Sequence, residues 1–204
     1  MTTAKDLFII ALDLESKHSV GQGDLSLALA GAELVDLIGA GAVVLDGDRI
    51  VPAEQVRPDD RLLAEASAAL TGQTPPEEHE QVEDWLWRRG RDLAASYRSA
   101  LEDAGELTRE HRGRLSFGTD RLELADTPSR RRAVNRWEAE EPVLAALASA
   151  VGIPGEQSDE EPVPDDEAVT TVLAAVNDAV MELEAVRQRR SIESSAFANV
   201  WRAP

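Results

Sequence analysis

The sequence between Asp24 and Val51 places an apolar helix directly before a β-hairpin, and this combination constrains the fold more than any other feature. Apolar residues recur every three or four positions, which is typical of a buried helix with Asp24 as its N-cap and Gly39 near its end. Residues Ala42–Leu45 then have the pattern of a short strand, and the dipeptide Asp46-Gly47 favours a tight hairpin turn. The stretch predicts a helix followed by a hairpin.

A similar pattern recurs in the second half of the chain. Apolar positions from Leu93 to Leu101 have helical spacing and end before Gly105. Strands are predicted at Arg114–Phe117 and Arg121–Leu124, on either side of a polar turn. Two such units are compatible with tandem winged-helix modules, or with one mainly α domain that carries one or two short β-hairpins.

Other segments also have helical patterns. The additional predicted helices are Leu7–Leu12 with a capping box at Thr3 and Asp6, a helix that starts at Pro58-Asp59-Asp60, Glu77–Arg89, a helix that starts at Asp126-Thr127-Pro128, one that starts at Pro142, and one from Val169 that ends at Arg187, Arg189 and Arg190. We expect one domain over residues 1–190, with an acidic internal connector at residues 158–167. A flexible tail is expected over residues 191–204. Phe197 and Trp201 in this tail are candidates to dock on the domain or on a second subunit.

Composition limits the class of protein. The 204 residues are 43% hydrophobic and 4% aromatic, which indicates a helical core of small aliphatic side chains. No apolar run approaches the roughly 18 residues of a membrane span. The N-terminus lacks the pattern of a secretion signal, so we expect a cytoplasmic protein. With no cysteine, the chain has neither disulfides nor thiolate metal ligands.

The formal net charge is −18, which disfavours nucleic acid as a partner because phosphate binding favours a basic face. The sequence also lacks the patterns of common catalytic sites. His18, His79 and His111 lie far apart and lack the spacing of a zinc site. Neither a phosphate-binding glycine loop nor a serine nucleophile elbow is present. We therefore expect no catalytic residues, no metal, no cofactor and no enzymatic activity.

Arginines cluster beside tryptophans in two segments. The first contains Trp85, Trp87, Arg88, Arg89 and Arg91, and the second contains Arg130 to Arg132, Arg136 and Trp137. Guanidinium groups bind phosphate bidentately and tryptophan suits the bilayer interface, so these clusters are candidate sites for an anionic headgroup. The alternative is pairing with some of the 39 acidic residues at the surface.

Several segments, taken in order, resemble a known family. They are DLFIIALDLE, LALAGAELVDLIGAGAVVLDGDRIV, RLLAEASAAL and DWLWRRGRDLAASYRSALEDAGELTRE, followed by the last helix, which is rich in alanine and valine. Their order and spacing resemble the Golgi phosphoprotein 3-like family, which comprises peripheral membrane proteins and has a large bacterial branch. The resemblance implies one mostly helical domain with a projecting β-hairpin.

The resemblance also implies a lipid site. Eukaryotic relatives bind phosphatidylinositol 4-phosphate through one tryptophan and three arginines. Matching the shared segments places Gly21 at the tryptophan position, and Ala30, Arg91 and Ala94 at the arginine positions, so only Arg91 retains the family's side chain. The candidate headgroup residues in this chain are Arg91, Arg88, Arg89 and Trp87. The candidate residues for a hairpin that contacts the membrane are Phe117 and Arg121. The tip of this hairpin is more polar than the apolar hairpin tip of the family.

Three functional hypotheses follow from these observations. The first is a non-enzymatic peripheral adaptor that binds anionic, phosphoinositide-like headgroups weakly at the inner face of the plasma membrane. Weak binding is expected because a basic residue near an anionic leaflet contributes only about 1 kcal/mol. The second is a scaffold that binds a protein partner or a second copy and has lost the lipid pocket. The third is a winged-helix DNA binder that uses Arg130–Arg136.

Overall fold

A computed structural model describes residues 2–14, 18, 20–53, 58–71, 79–110, 121–155 and 166–200. Within these ranges the chain forms helices and two antiparallel hairpins. The helices are α1 (Thr3–Asp13), α2 (Gln22–Gly39), α3 (Arg61–Thr71), α4 (Val82–Arg89), α5 (Leu93–Asp103), α6 (Pro128–Glu138), α7 (Pro142–Ala150) and α8 (Glu167–Val200). The strands are β1 (Val43–Asp46), β2 (Arg49–Pro52), β3 (Leu107–Glu110) and β4 (Arg121–Leu124).

Helix α2 lies at the centre of the fold and contacts α1, α3, α4, α5, α7 and α8. Its small residues allow these neighbours to approach closely. A Cβ atom built on Gly31 would lie 2.3 Å from Cγ2 of Val176 in α8, so a larger residue here would force the two helices or Val176 to shift. The prediction of a buried central helix is confirmed.

One apolar core joins these elements. Its buried members come from all the named helices and from both hairpins. Aromatic side chains are few, and the rings of the buried residues Phe8 and Tyr97 have centroids 5.9 Å apart. Because both helix-and-hairpin units share this core, the predicted mainly α domain with two short hairpins is confirmed, rather than tandem modules.

The first hairpin has the predicted turn. Strands β1 and β2 pair antiparallel, and Asp46 lies opposite Arg49 across a turn in which Gly47 has a φ of 63°. The chain before α4 extends this hairpin, because the N–H of Ile50 donates to the carbonyl of Glu80 at 2.8 Å. Helix α4 therefore begins at Val82, and the prediction of a helix from Glu77 is wrong at its start.

The second hairpin differs from the prediction. Strand β4 occupies the predicted residues, but its partner is Leu107–Glu110 rather than Arg114–Phe117. Leu107 is buried in the core and follows α5 almost directly, after a turn in which Gly105 has a φ of 68°. Burial of Leu107 thus fixes the strand earlier in the chain. Residues 111–120, which include the predicted first strand and Phe117, lie outside the described ranges.

Two predicted helix starts are wrong for the same physical reason. The side chain of Thr2, not Thr3, caps α1 by accepting a hydrogen bond from the N–H of Lys5. Helix α2 begins at Gln22, so Asp24 lies inside its first turn. The aspartates that the sequence offers for these starts, Asp6 and Asp24, bind arginines from distant parts of the chain instead.

Helix α8 begins after Asp166, whose side chain accepts a hydrogen bond from the N–H of Ala168 at 2.8 Å. It continues past Arg190, where the sequence predicted its end, to Val200. Most of the acidic connector, residues 158–165, lies outside the described ranges, so the division into a domain and a tail stays a prediction. None of the described helices has the length and apolar character needed to span a membrane.

Candidate functional site

The turn between α4 and α5 carries the first arginine cluster. Gly90 follows the last residue of α4, and an added Cβ there would lie 2.5 Å from the carbonyl oxygen of Leu86 and 3.3 Å from that of Ser26. The N–H of Ala94 donates to Oγ of Ser26 at 3.1 Å. Close packing and this hydrogen bond therefore fix the turn against the N-terminal half of α2.

Arg89 points from α4 into the protein. Its Nε and Nη2 atoms donate to Oε2 and Oε1 of Glu33 at 2.7 and 2.9 Å, and Nη2 also donates to the carbonyl of Leu62. Glu33 is fully buried in α2, and the hydroxyl of Tyr97 also donates to its Oε1, at 3.2 Å. These contacts occupy the guanidinium fork of Arg89.

Burial governs the electrostatics around Glu33. Desolvation raises the pKa of the Glu33 carboxyl above its ordinary value and outweighs the hydrogen bonds from Arg89 and Tyr97, which favour the charged form. Burial and the adjacent Glu33 raise the pKa of Tyr97 well above its ordinary value, so its hydroxyl stays a donor. The group therefore joins α2, α4 and α5 and is a structural centre.

Arg88 is also paired. Its Nε and Nη2 atoms donate to the two carboxylate oxygens of Glu80 at 2.7 and 2.6 Å. The same guanidinium lies 5.2 Å from the ring centroid of Trp85, which adds a cation–π contact. Hydrogen bonding to Glu80 raises the pKa of Arg88. A phosphate would have to displace Glu80 to bind here.

The last two candidates of this cluster face different surroundings. Trp87 is half-buried and packs against the core, whereas Arg91 is exposed just beyond Gly90. In the part of the chain that the structure describes, Arg91 has no ion pair or hydrogen bond from its side chain. The four predicted residues thus do not converge on one pocket, and Arg91 is the member whose charge is available.

Arg187, which the sequence did not indicate as a site residue, lies beside the first turn of α2. Nη1 of Arg187 in α8 donates to both carboxylate oxygens of Asp24 at 2.8 and 2.7 Å, and the side chain remains 40% exposed. Asp24, by accepting these bonds, raises the pKa of Arg187. A helical spacing of four from Leu183, which packs on the core, is the sequence signal that could have found it.

The second predicted cluster is an internal ion-pair network. Asp6 in α1 is buried and accepts from Arg132 and Arg136 of α6, with Nη1 of Arg136 at 2.7 Å. Arg136 also binds Glu141 at 2.7 Å. Arg130 and Arg131 pair with Asp13 and Asp126 at 2.6 and 3.0 Å. For this cluster, the interpretation as salt-bridged arginines matches the contacts.

The sequence matches the family model for Golgi phosphoprotein 3 (GPP34) over residues 4–192, which is nearly the whole chain. The chain belongs to the Golgi phosphoprotein 3 family. This confirms the resemblance noted above, and membership suggests a role as an adaptor in lipid or protein interactions. A search of curated proteins finds no match to the chain.

The resemblance assigns Gly21, Ala30, Arg91 and Ala94 to the family's lipid site, and three of these residues lie in closely packed surroundings. Gly21 is the N-cap of α2, and a Cβ there would lie 2.2 Å from Oδ2 of Asp24 and 3.4 Å from Nη1 of Arg187. Ala30 and Ala94 are buried in the core. Of the four positions, Arg91 therefore has the only charged side chain, and it is exposed.

The hairpin and metal predictions remain open. Arg121 begins β4, with its backbone opposite Glu110, whereas Phe117 lies outside the described ranges. Their membrane role stays a prediction. Within the described ranges, no group of three or more histidine, aspartate or glutamate residues is placed to hold a metal ion.

Proposed function

We propose that this protein is a non-enzymatic adaptor that binds weakly to anionic, phosphoinositide-like headgroups at the inner face of the plasma membrane. Arg91 carries the proposal: it is exposed, and in the described part of the chain it has no carboxylate partner. It also occupies a position at which the family resemblance implies a headgroup arginine. A free guanidinium at this position can donate hydrogen bonds to two oxygens of one phosphate group.

Weak binding follows from the charges. A basic residue near an anionic leaflet contributes about 1 kcal/mol, so one or a few arginines give reversible attachment. The net charge of −18 opposes approach to the same leaflet. Because charges more than about 10 Å apart are largely screened at 0.1 M salt, a local basic surface can still act. The proposal therefore includes strong sensitivity to salt.

Vesicle co-sedimentation tests the role of Arg91. The vesicles would be phosphatidylcholine alone, phosphatidylcholine with phosphatidylserine, and phosphatidylcholine with phosphatidylinositol 4-phosphate. Arg91→Gln should weaken binding to the acidic vesicles about fivefold, which corresponds to about 1 kcal/mol. Arg61→Gln is the matched control, since the Arg61 side chain is 65% exposed and its ion pair with Glu65 is long, at 3.7 Å. Equal effects of the two variants would contradict the proposal.

The two acidic arms separate the chemical sources of binding. Tighter binding to the phosphoinositide vesicles supports recognition of a phosphorylated headgroup. Equal binding to the phosphatidylserine vesicles supports attraction to negative charge alone. No preference for either acidic vesicle over neutral vesicles would remove the lipid-binding function.

A second candidate function is a scaffold that binds a protein partner. It is favoured by the ion pairs of Arg88 and Arg89, which use the groups that a phosphate would need. The buried Ala30 and Ala94 likewise leave little room for a headgroup pocket. Affinity capture from native cytoplasm, followed by reconstitution with the purified partner, tests this function. A reconstituted complex together with equal binding to neutral and acidic vesicles would support the scaffold.

A further inference from the structure

The C-terminal part of α8 extends beyond the core. Its buried residues end at Ala179, Leu183 still packs against the core, and Arg187 binds Asp24. Residues 188–194 are then all exposed, on a helix that continues to Val200. At a rise of 1.5 Å per residue, the helix from Arg187 to Val200 is about 20 Å long. We call residues 187–200 the overhang.

The overhang is basic, although the whole chain is strongly acidic. Arg187, Arg189 and Arg190 fall within four positions, and Glu193 is the one acidic residue between 187 and 200. Arg189 and Arg190 are exposed and, among the residues that the structure describes, their side chains have no ion-pair partner. This part of the helix therefore carries positive charge that the protein does not neutralise.

Apolar side chains accompany this charge. Ile192 is 69% exposed on the overhang. In the sequence, Phe197 is a further apolar residue of the overhang. A helix end that combines unpaired arginines with an exposed aliphatic side chain has the chemistry of an interfacial helix on an anionic bilayer.

The overhang starts at the same end of the molecule as Arg91. Arg187 binds Asp24 in the first turn of α2, and Gly90, next to Arg91, packs on Ser26 in that helix. The N-terminus of α2 adds the positive end of its dipole to this region. Among the described residues, Asp24 and Glu184 face Arg187, and the exposed Asp92 follows Arg91. Arg91, in the turn before α5, and Arg187, in α8, thus lie at the N-terminal end of α2.

We propose that the overhang, residues 187–200, lies on the surface of an anionic lipid bilayer and supplies most of the protein's membrane affinity. The inference rests on the proposed function and assigns its main attachment element. A bilayer fits the overhang because its headgroups can pair with the free arginines while its apolar interface accepts the exposed Ile192. An overhang of about 20 Å can reach a leaflet while much of the acidic body stays beyond the Debye length of about 10 Å.

Neutralising the two unpaired arginines tests the inference. Arg189→Gln with Arg190→Gln should weaken binding to phosphatidylcholine vesicles that contain phosphatidylserine about thirtyfold, from about 1 kcal/mol per arginine. The matched control is Arg61→Gln with Arg131→Gln, which removes the same charge from exposed, weakly paired positions. The control should weaken binding less than about threefold, since screening limits distant charges. Equal losses in the two double variants would overturn the inference.

A second variant tests the apolar contribution. Ile192→Ser leaves the charge unchanged and removes the exposed aliphatic side chain, so it should weaken binding to the same vesicles severalfold. Unchanged binding in either variant would overturn the inference. A dimer in sedimentation velocity that Ile192→Ser dissociates would also overturn it and identify a second copy as the occupant. Circular dichroism and thermal melting check that every variant keeps the fold.

The outcomes separate this inference from the proposed function. If Arg91→Gln weakens vesicle binding but the Arg189 and Arg190 double variant does not, only the inference fails. If the unmodified protein binds acidic and neutral vesicles equally, both fail. If the double variant loses binding and its matched control retains it, the inference is supported.

Discussion

Arg89 of α4 and Glu33 of α2 form a bidentate ion pair whose carboxylate is fully buried, with donor–acceptor distances of 2.7 and 2.9 Å. From the sequence, Arg89 is a candidate to bind the anionic group of a ligand. In the structure it binds the carboxylate of Glu33 instead. Tyr97 completes the group with a third hydrogen bond to Glu33. The pair therefore connects the turn that carries Arg91 to the central helix.

Removal of the cation should destabilise the fold strongly. Arg89→Met keeps much of the aliphatic packing but leaves the buried Glu33 without its counter-ion, which costs about 3–5 kcal/mol in comparable sites. Chemical denaturation at neutral pH measures this loss in the free energy of unfolding. The control is Arg88→Met, whose partner Glu80 lies nearer the surface, and we expect a loss of about 1 kcal/mol or less. Equal losses would show that Arg89 has no special structural role.

Glu33 should also influence how stability depends on pH. Because burial raises its pKa above the ordinary 4.5, its contribution to stability is complete below pH 4.5 and is lost as pH rises through the raised value. Asp36, whose pKa burial also raises, acts in the same direction. Glu33→Gln removes the titration of Glu33 alone. Its free energy of unfolding should therefore increase relative to the unmodified protein as pH rises from 4.5 towards neutrality.

Denaturation curves of both proteins over this pH range provide the measurement. The quantity of interest is the difference between the two free energies of unfolding, because titrating groups that do not interact with Glu33 cancel in it. A difference that does not change with pH, or that changes with the opposite sign, would contradict a raised pKa at Glu33.

The crossing of α2 and α8 gives a packing prediction. Alanine in place of a helical glycine normally stabilises a protein by up to about 1 kcal/mol. At Gly31, however, the new methyl group would overlap Val176, and overpacking of this kind costs about 1–3 kcal/mol. Gly31→Ala should therefore lower the melting temperature. Gly39→Ala in the same helix has nothing within 4 Å of the new Cβ and should leave the melting temperature unchanged or raise it. Stabilisation by both variants would show that the helices can separate without cost.

Much of the fold follows from local sequence. Apolar spacing after Pro58-Asp59-Asp60 located α3, where Leu62, Leu63, Ala66 and Leu70 are buried. The dipeptide Asp46-Gly47 located the turn between β1 and β2. These features depend on residues close together in the chain, so local propensity and periodicity suffice to predict them.

The errors arise where residues far apart in sequence meet. Asp6 and Asp24 were predicted as helix-start residues, but they bind Arg132 and Arg187, which local patterns cannot anticipate. The partner strand of β4 was misplaced because burial of Leu107 depends on the core and not on its neighbours.

The candidate site was only partly predictable. The resemblance to the family indicated Arg91, and the structure places this residue in solvent. The sequence could not reveal that Arg89 meets Glu33, which lies 56 positions away. The overhang was missed because arginines close to a predicted helix end are ordinary partners of the helix dipole, so Arg190 was interpreted as a terminus.

Binding of the unmodified protein to acidic and neutral vesicles at increasing salt tests the central claim most directly. We predict measurable binding to phosphatidylcholine vesicles that contain phosphatidylserine at low salt, a steep loss as salt increases, and little binding to phosphatidylcholine alone. Equal binding to both kinds of vesicle, or binding that is insensitive to salt, would contradict an adaptor that a few arginines attach to an anionic surface.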